Sequence, residues 1–345
     1  MKRRSLLILF SVMVIIGVGV YFWLASQEAK QRELLRSTAL ELAKKKKFSK
    51  AEGDLKIALE HNPQDVEVLA ALAQGYMDTS RTSEAAPLLD RWVQAAPEAK
   101  QPLELRLQYH RTNLNFPLAL ADVDRLLALD SSNTALARQR CGFLFNLNRF
   151  EEAEALARLI LKTEPNDIAA QSLLAQILRS SGKTREAGEI LDQIIQSQPK
   201  RYPALMSRAI LYYENGQPEK AIPLLEMVVA EDPSRKRTGR YHLGIALQIA
   251  GKSEEANRVM EEVRKLQSVE VLMVDSENHP SNLDVQVKAA EALFELGNPQ
   301  KAMELLRRVL EKNPEHRDTH RLLADYFHRQ GLEEEANQHR RFLMP

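Results

Sequence analysis

Cysteine occurs once in 345 residues, at Cys141, so the chain can form neither an internal disulfide framework nor a cysteine-ligated zinc site. An excess of charge is missing as well. Against 48 Lys and Arg stand 47 Asp and Glu, and the resulting net charge of +1 disfavours nucleic acid as a partner at the level of the whole chain. Charged residues still make up 28%, which excludes a protein lying wholly in a membrane, while 44% apolar content is enough for a large core.

Long apolar runs are scarce, and the one present is Leu6–Leu24, LLILFSVMVIIGVGVYFWL, with no charge in it. As a helix it would span roughly 28 Å, close to the thickness of a bilayer's hydrocarbon core. A cleaved signal peptide has a shorter apolar region, about 7–15 residues, and small residues before its cleavage site. Here Tyr21, Phe22 and Trp23 fill that place, as in an interfacial aromatic belt, so the run is expected to be an uncleaved anchor. Lys2, Arg3 and Arg4 on the short flank favour an extracytoplasmic position for the chain beyond the anchor. Lys30, Arg32, Arg36 and Lys44–Lys47 on the other flank argue against it, partly offset by Glu28, Glu33 and Glu41. The lysine run reads either as a contact with anionic headgroups, at about 1 kcal/mol per charge, or as a solvated turn.

Beyond the anchor, prolines at 63, 97, 165, 199 and 233 are separated by 34 residues or by twice that. A repeat counted to end two residues after each proline places alanine at its position 20 nine times: Ala51, Ala85, Ala119, Ala153, Ala187, Ala221, Ala256, Ala302 and Ala336. Position 8 is small except at Leu107, and position 15 is glycine in the last five repeats (Gly182, Gly216, Gly251, Gly297 and Gly331). Positions 4, 7, 8 and 11 share one helical face, as do 20, 24 and 27, so each repeat is two amphipathic helices that approach closely and stop near the glycine and the proline. Neither helix can bury its face alone, which predicts stacking of successive repeats.

This pattern resembles the tetratricopeptide repeat over about 300 of the 345 residues. The resemblance implies an all-α, right-handed superhelical solenoid of about nine helix-turn-helix units preceded by one transmembrane helix. The expected layout is a short basic tail (1–5), the anchor (6–24), a linker (25–31), repeats one to seven (32–270), an insertion (271–282) and repeats eight and nine (283–345). Lys46, Ser80, Leu114 and Asn148 replace the position-15 glycine in the first four repeats, which are expected to be less regular; Ser131 stands where a proline would. The insertion could bend the stack or act as a hinge.

In the family the first helix of each unit lines a concave groove through positions 2, 5, 9, 12 and 13. Those positions give a polar set, Gln74, Gln108, Arg111, Arg138, Asn146, Gln176 and Arg179, suited to the backbone and acidic groups of a peptide. They also give an apolar set, Met206, Ile210, Tyr213, Tyr241, Ile245, Ile249, Val287 and Phe294. The apolar stripe is either a partner site or is covered by VEVLMV at 269–274. No pair of positions supplies the basic residue and asparagine with which some relatives clamp a chaperone's C-terminal carboxylate.

No catalytic constellation emerges. Cys141 holds a small packing position and reads as a helix contact. His316 and His320, with Asp325 and His328 nearby, have metal-sharing spacing, but the metalloprotease signature wants glutamate where Arg317 stands, and His320 faces the core. Gly17 and Gly19 lie inside the anchor and form no phosphate loop. The expectation is a non-enzymatic, membrane-anchored scaffold of bacterial type that holds a protein or peptide partner, without cofactor, metal or small-molecule substrate, in the assembly of an envelope complex. An accessory subunit of a glycan-exporting or glycan-modifying enzyme is the alternative, and a metal-dependent activity at the histidines a third.

Overall fold

The computed structural model describes residues 2–231 and 236–344; for 2–19, 22 and 236 only the backbone is described. The described residues form eighteen α-helices and a terminal 3-10 turn, with no strand among them. The chain divides into two compact units, Met1–Ser181 and Gly182–Pro345. The first holds α1 (Lys2–Lys44), α2 (Phe48–His61), α3 (Val66–Asp78), α4 (Thr82–Ala95), α5 (Lys100–Thr112), α6 (Phe116–Leu129), α7 (Thr134–Asn146), α8 (Phe150–Thr163) and α9 (Ile168–Ser180). The second holds α10 (Thr184–Ser197), α11 (Tyr202–Glu214), α12 (Pro218–Glu231), α13 (Lys236–Ile249), α14 (Ser253–Asn278), α15 (Leu283–Glu295), α16 (Pro299–Lys312), α17 (Arg317–Arg329) and α18 (Glu333–Arg340). Within each unit consecutive helices pack on one another, as hairpins stacked in chain order.

The alanines of position 20 explain why the hairpins close. All nine are at most 2% exposed. Across the hairpin of α7 and α8 the thiol of Cys141, at position 8, donates to the carbonyl oxygen of Ala153 at 3.2 Å, a distance that a larger residue at either position would prevent. Where position 8 is Gly244, a side chain added there would meet the Sδ of Met260 at 2.7 Å, so Met260 fills the missing volume. Leu107 is buried at its small site without breaking the pairing of α5 and α6.

The turn at position 15 is the same throughout. Residues Lys46, Ser80, Leu114 and Asn148 have φ of 55° to 59°, and the five glycines 71° to 77°. The first four repeats are therefore as regular as the rest at this turn, contrary to the sequence expectation. The hydrogen-bond geometry of the helix end requires a left-handed residue whatever its side chain. In the fourth repeat, for example, the amide of Arg149 donates to the carbonyl of Leu144 at 2.9 Å and that of Asn148 to Phe145 at 2.9 Å. The second helix α2 ends on an extended residue, Asn62 before Pro63 (φ −131°, ψ 90°), and Asp130 before Ser131 has φ −155° and ψ 79°, outside the helical region although no proline follows. Pro233 lies outside the described residues.

Residues 271–278, expected to stand outside the repeat pattern, prolong a second helix: α14 has 26 residues where α12 has 14. Val269, with Leu272 and Met273 partly buried beside it, joins the core cluster of repeats eight and nine, while Val271 and Val274 face solvent. At the other end, residues 25–31, expected as a linker, are helical within α1, which has neither glycine nor proline between Val20 and Lys44. Of the expected membrane span 6–24, the side chains of 6–19 and 22 lie outside the described residues. Among the described residues no helix is long and apolar enough to cross a membrane.

Leu114 carries the cost of the left-handed turn while its side chain is 70% exposed, so nothing buried is lost on its removal. Leu114→Gly is expected to raise the unfolding free energy by about 0.5–1 kcal/mol in urea denaturation, the relief of strain exceeding the added freedom of the unfolded chain.

Candidate partner-binding groove

In the first unit the ends of α1 and α3, with α4 behind them, enclose a concavity of about 750 Å³. Small residues account for its size: Ala43, Ala70, Ala71 and Gly75 present no bulk, and Leu40, Phe48 and Trp92 supply apolar wall. The ring of Phe48 lies where a side chain on residue 75 would be, 2.1 Å from an added Cβ, so only glycine permits it. Lys44, Gln74, Asp78 and Gln101 edge the opening, and Gln74 Nε2 donates to Asp78 Oδ1 at 2.7 Å. Trp92 is 3% exposed, and its Nε1 has no acceptor among the described residues. Sequence reasoning missed this concavity; its signal was the stretch AALAQG at 70–75, small where groove positions are usually filled.

The polar set expected to line the groove separates into two kinds. Gln108, Arg111, Asn146 and Gln176, on α5, α7 and α9, are exposed, and no side-chain hydrogen bond or ion pair engages them among the described residues. Arg138 is engaged: its Nη1 donates to Asp167 Oδ2 at 2.5 Å and lies 3.6 Å from Glu164 Oε2. Asp167 is in turn the cap of α9, accepting from the amides of Ala169 and Ala170 at 2.9 and 3.1 Å. Burial opposes ionisation of this carboxyl, but the amides and Arg138 outweigh it and hold its pKa below the usual range. Arg36 repeats the arrangement on Asp65, with Nε–Oδ2 at 2.6 Å, so an arginine at position 5 fastens the cap of the next first helix. Arg179 is half-buried on α9.

Most of the apolar set in the second unit is packed. Met206, Ile210 and Ile245 rest against a cluster that includes Ala209, Leu225 and Leu247. Tyr213 is 9% exposed, with its hydroxyl 2.9 Å from His242 Nδ1. Phe294 stacks on Tyr326 at 4.2 Å, and Val287 is buried in the cluster of repeats eight and nine. Tyr241 and Ile249 are the members of the set that face solvent, 45% and 50% exposed.

Cys141 is fully buried, and burial pushes its thiol up to about 12, which removes the thiolate that nucleophilic chemistry needs. The histidines do not converge. His316 caps α17, its Nδ1 accepting from the Thr319 amide at 3.3 Å, and its Nε2 is 3.4 Å from Asp284. His320 is buried, with Nε2 2.8 Å from the Pro314 carbonyl and Nδ1 2.9 Å from Nδ1 of His339. His328 pairs with Glu333. No group of three or more His, Cys, Asp or Glu is placed to hold a metal among the described residues.

The tetratricopeptide-repeat family models match residues 37–100, 115–177, 178–247 and 247–326. The chain belongs to the tetratricopeptide-repeat family. Cellulose synthase operon protein C of Pseudomonas fluorescens (strain SBW25) is 24% identical over 276 residues, which are 79% of this tetratricopeptide-repeat chain but 19% of that protein. The chain thus matches about a fifth of that relative's length. Among solved structures, a tetratricopeptide-repeat protein from Parabacteroides merdae superposes with a TM-score of 0.56 at 20% identity, covering 68% of this chain and 93% of its own. Pseudomonas aeruginosa pilF gives a TM-score of 0.45 at 17% identity, over 59% and 94%. The Parabacteroides likeness shows the fold alone.

The histidine pair makes the last repeat sensitive to acid. A carbonyl can only accept, so His320 Nε2 carries a hydrogen, its Nδ1 accepts, and His339 Nδ1 donates to it. Burial first, and then repulsion from the neighbouring His320 ring whenever it carries a proton, hold the pKa of His339 below its ordinary 6.5. The unfolded state therefore binds the proton first, and the stability this pair contributes is complete above about pH 6.5 and declines as the pH falls below it. Amide exchange across 317–343 is expected to be constant from about pH 8 to 7 once corrected for intrinsic rates, and to accelerate below 6.5. His339→Gln should remove that acceleration.

Proposed function

We propose that the chain is a membrane-anchored scaffold that holds an extended segment of a protein partner along the first helices of its first unit. One observation carries this reading. The same unit that holds an apolar concavity also exposes, on its first helices α5, α7 and α9, Gln108, Arg111, Asn146 and Gln176, polar side chains that no side-chain hydrogen bond or ion pair engages among the described residues. Amide side chains both donate and accept, which suits the backbone of a peptide whose own hydrogen bonds are open. Arg138 takes no part, since it is already engaged by Asp167, the cap of α9.

The anchor is supported by Val20, Tyr21, Trp23 and Leu24, which are 50% to 69% exposed. Positions 20, 21, 23 and 24 fall within one arc of about 160° of the helix, a broad exposed apolar face that an apolar medium would cover. With Lys2, Arg3 and Arg4 retained in the cytoplasm, the repeats stand outside it, and the partner belongs to an envelope assembly. A second reading, a non-catalytic subunit of a glycan-exporting or glycan-modifying enzyme, draws on the similarity to cellulose synthase operon protein C.

Co-purification from detergent tests the site. Replacing Gln108, Asn146 and Gln176 together by alanine is expected to lower the yield of co-purified partner by about tenfold, at roughly 0.5 kcal/mol per side chain, with the melting temperature unchanged. An unchanged yield would remove the groove from the account. A co-purified subunit that acts on glycan would favour the second reading.

A further inference from the structure

The scaffold reading leaves one property of α1 unused. The helix that exposes apolar residues at 20, 21, 23 and 24 also builds the first repeat, burying Ala39 and Leu40, and its last turns wall the concavity with Leu40, Ala43 and Lys44. Between these two ends the backbone is unbroken helix without glycine or proline, so no hinge separates them. From Leu24 to Leu40–Lys44 the axial rise is about 25–30 Å. A flexible tether would let a groove sample many heights and approach a soluble partner from any side. A continuous helix fixes the height at which the groove is offered.

We propose that the groove's partner is anchored in the same bilayer and presents its extended segment about 25–30 Å above the surface, at the height α1 sets for the concavity. The proposal rests on the anchored-scaffold reading. The segment carries a bulky apolar side chain for the cavity walled by Leu40, Phe48 and Trp92, and main-chain groups for Gln101 at its edge. Two anchored proteins meet at a high effective concentration when their heights match, and that advantage vanishes when the geometry forbids contact. The same rise places Lys44–Lys47 far beyond the ~10 Å screening length from the headgroups with α1 upright, which favours the solvated-turn reading of the lysine run.

The test uses the intact chain in its native membrane, with a photo-crosslinking residue at Gln101. Seven residues of helix-forming sequence inserted after Ser26 raise the groove by about 10 Å while turning it only about 20°. A second variant carries seven Gly and Ser residues there. Both insertions precede Ala39, the first fully buried residue among those described, and unchanged melting of the repeats confirms that they fold. The expected result is a cross-linked partner whose un-cross-linked form in unirradiated membranes resists alkaline carbonate extraction, a yield about tenfold lower with the helical insertion, and recovery of most of it with the flexible one. A partner that carbonate releases from unirradiated membranes, or equal yields from all three chains, overturns the proposal and leaves the scaffold reading standing. A chain that carbonate itself extracts, or that cross-links to no protein, withdraws the anchored-scaffold reading and this proposal with it.

Discussion

Close approach of the two helices in each repeat is the constraint on which the rest depends. It is met by an alanine at position 20 in every repeat and by a small residue at position 8 in all but one, with backbone and side chain near enough for the Cys141 thiol to reach the Ala153 carbonyl. A larger residue at position 20 would force the helices apart or off their rotamers, at a cost of about 1–3 kcal/mol. Because the hairpin is tight, successive first helices lie side by side, and wherever their side chains are also small the surface between them is hollow. The concavity walled by Leu40, Phe48 and Trp92 is that consequence in the first unit.

Much of this was legible in the sequence because it is local. The alanine period, the left-handed turn at the glycines and the proline stops are decided within a few residues. Lys46, Ser80, Leu114 and Asn148 looked like exceptions because side-chain preference argues against positive φ, yet the helix-end hydrogen bonds outweigh a preference of about 1 kcal/mol. The insertion broke the period without breaking a helix, which spacing alone could not distinguish from a loop.

The candidate site was less legible because its residues are assigned by contacts far apart in sequence. Arg138 shares its groove position with Glu104 and Ser172, and only its meeting with Asp167, 29 residues on, turns it into a fastener of the next helix. Tyr213, 29 residues before His242, is drawn into an internal contact in the same way, which is why the apolar stripe is mostly interior. Gln108, Arg111, Asn146 and Gln176 are exposed, and no side-chain hydrogen bond or ion pair engages them among the described residues.

Function then depends on how rigidly the groove is held. Helix α1 joins exposed Tyr21, Trp23 and Leu24 to the wall of the concavity through a single run of backbone hydrogen bonds, so the exposed apolar end of α1 and the concavity form one body. The most direct measurement is a spin-label distance between Ala25→Cys and Lys45→Cys in the intact chain, with the buried Cys141 replaced by alanine as at Ala175 in the next repeat. A narrow distribution centred near 30 Å, the rise of about twenty helical residues, is the predicted result. A broad distribution, or a mean shorter by about 10 Å, would show a broken helix and contradict the coupling of the apolar end of α1 to the concavity.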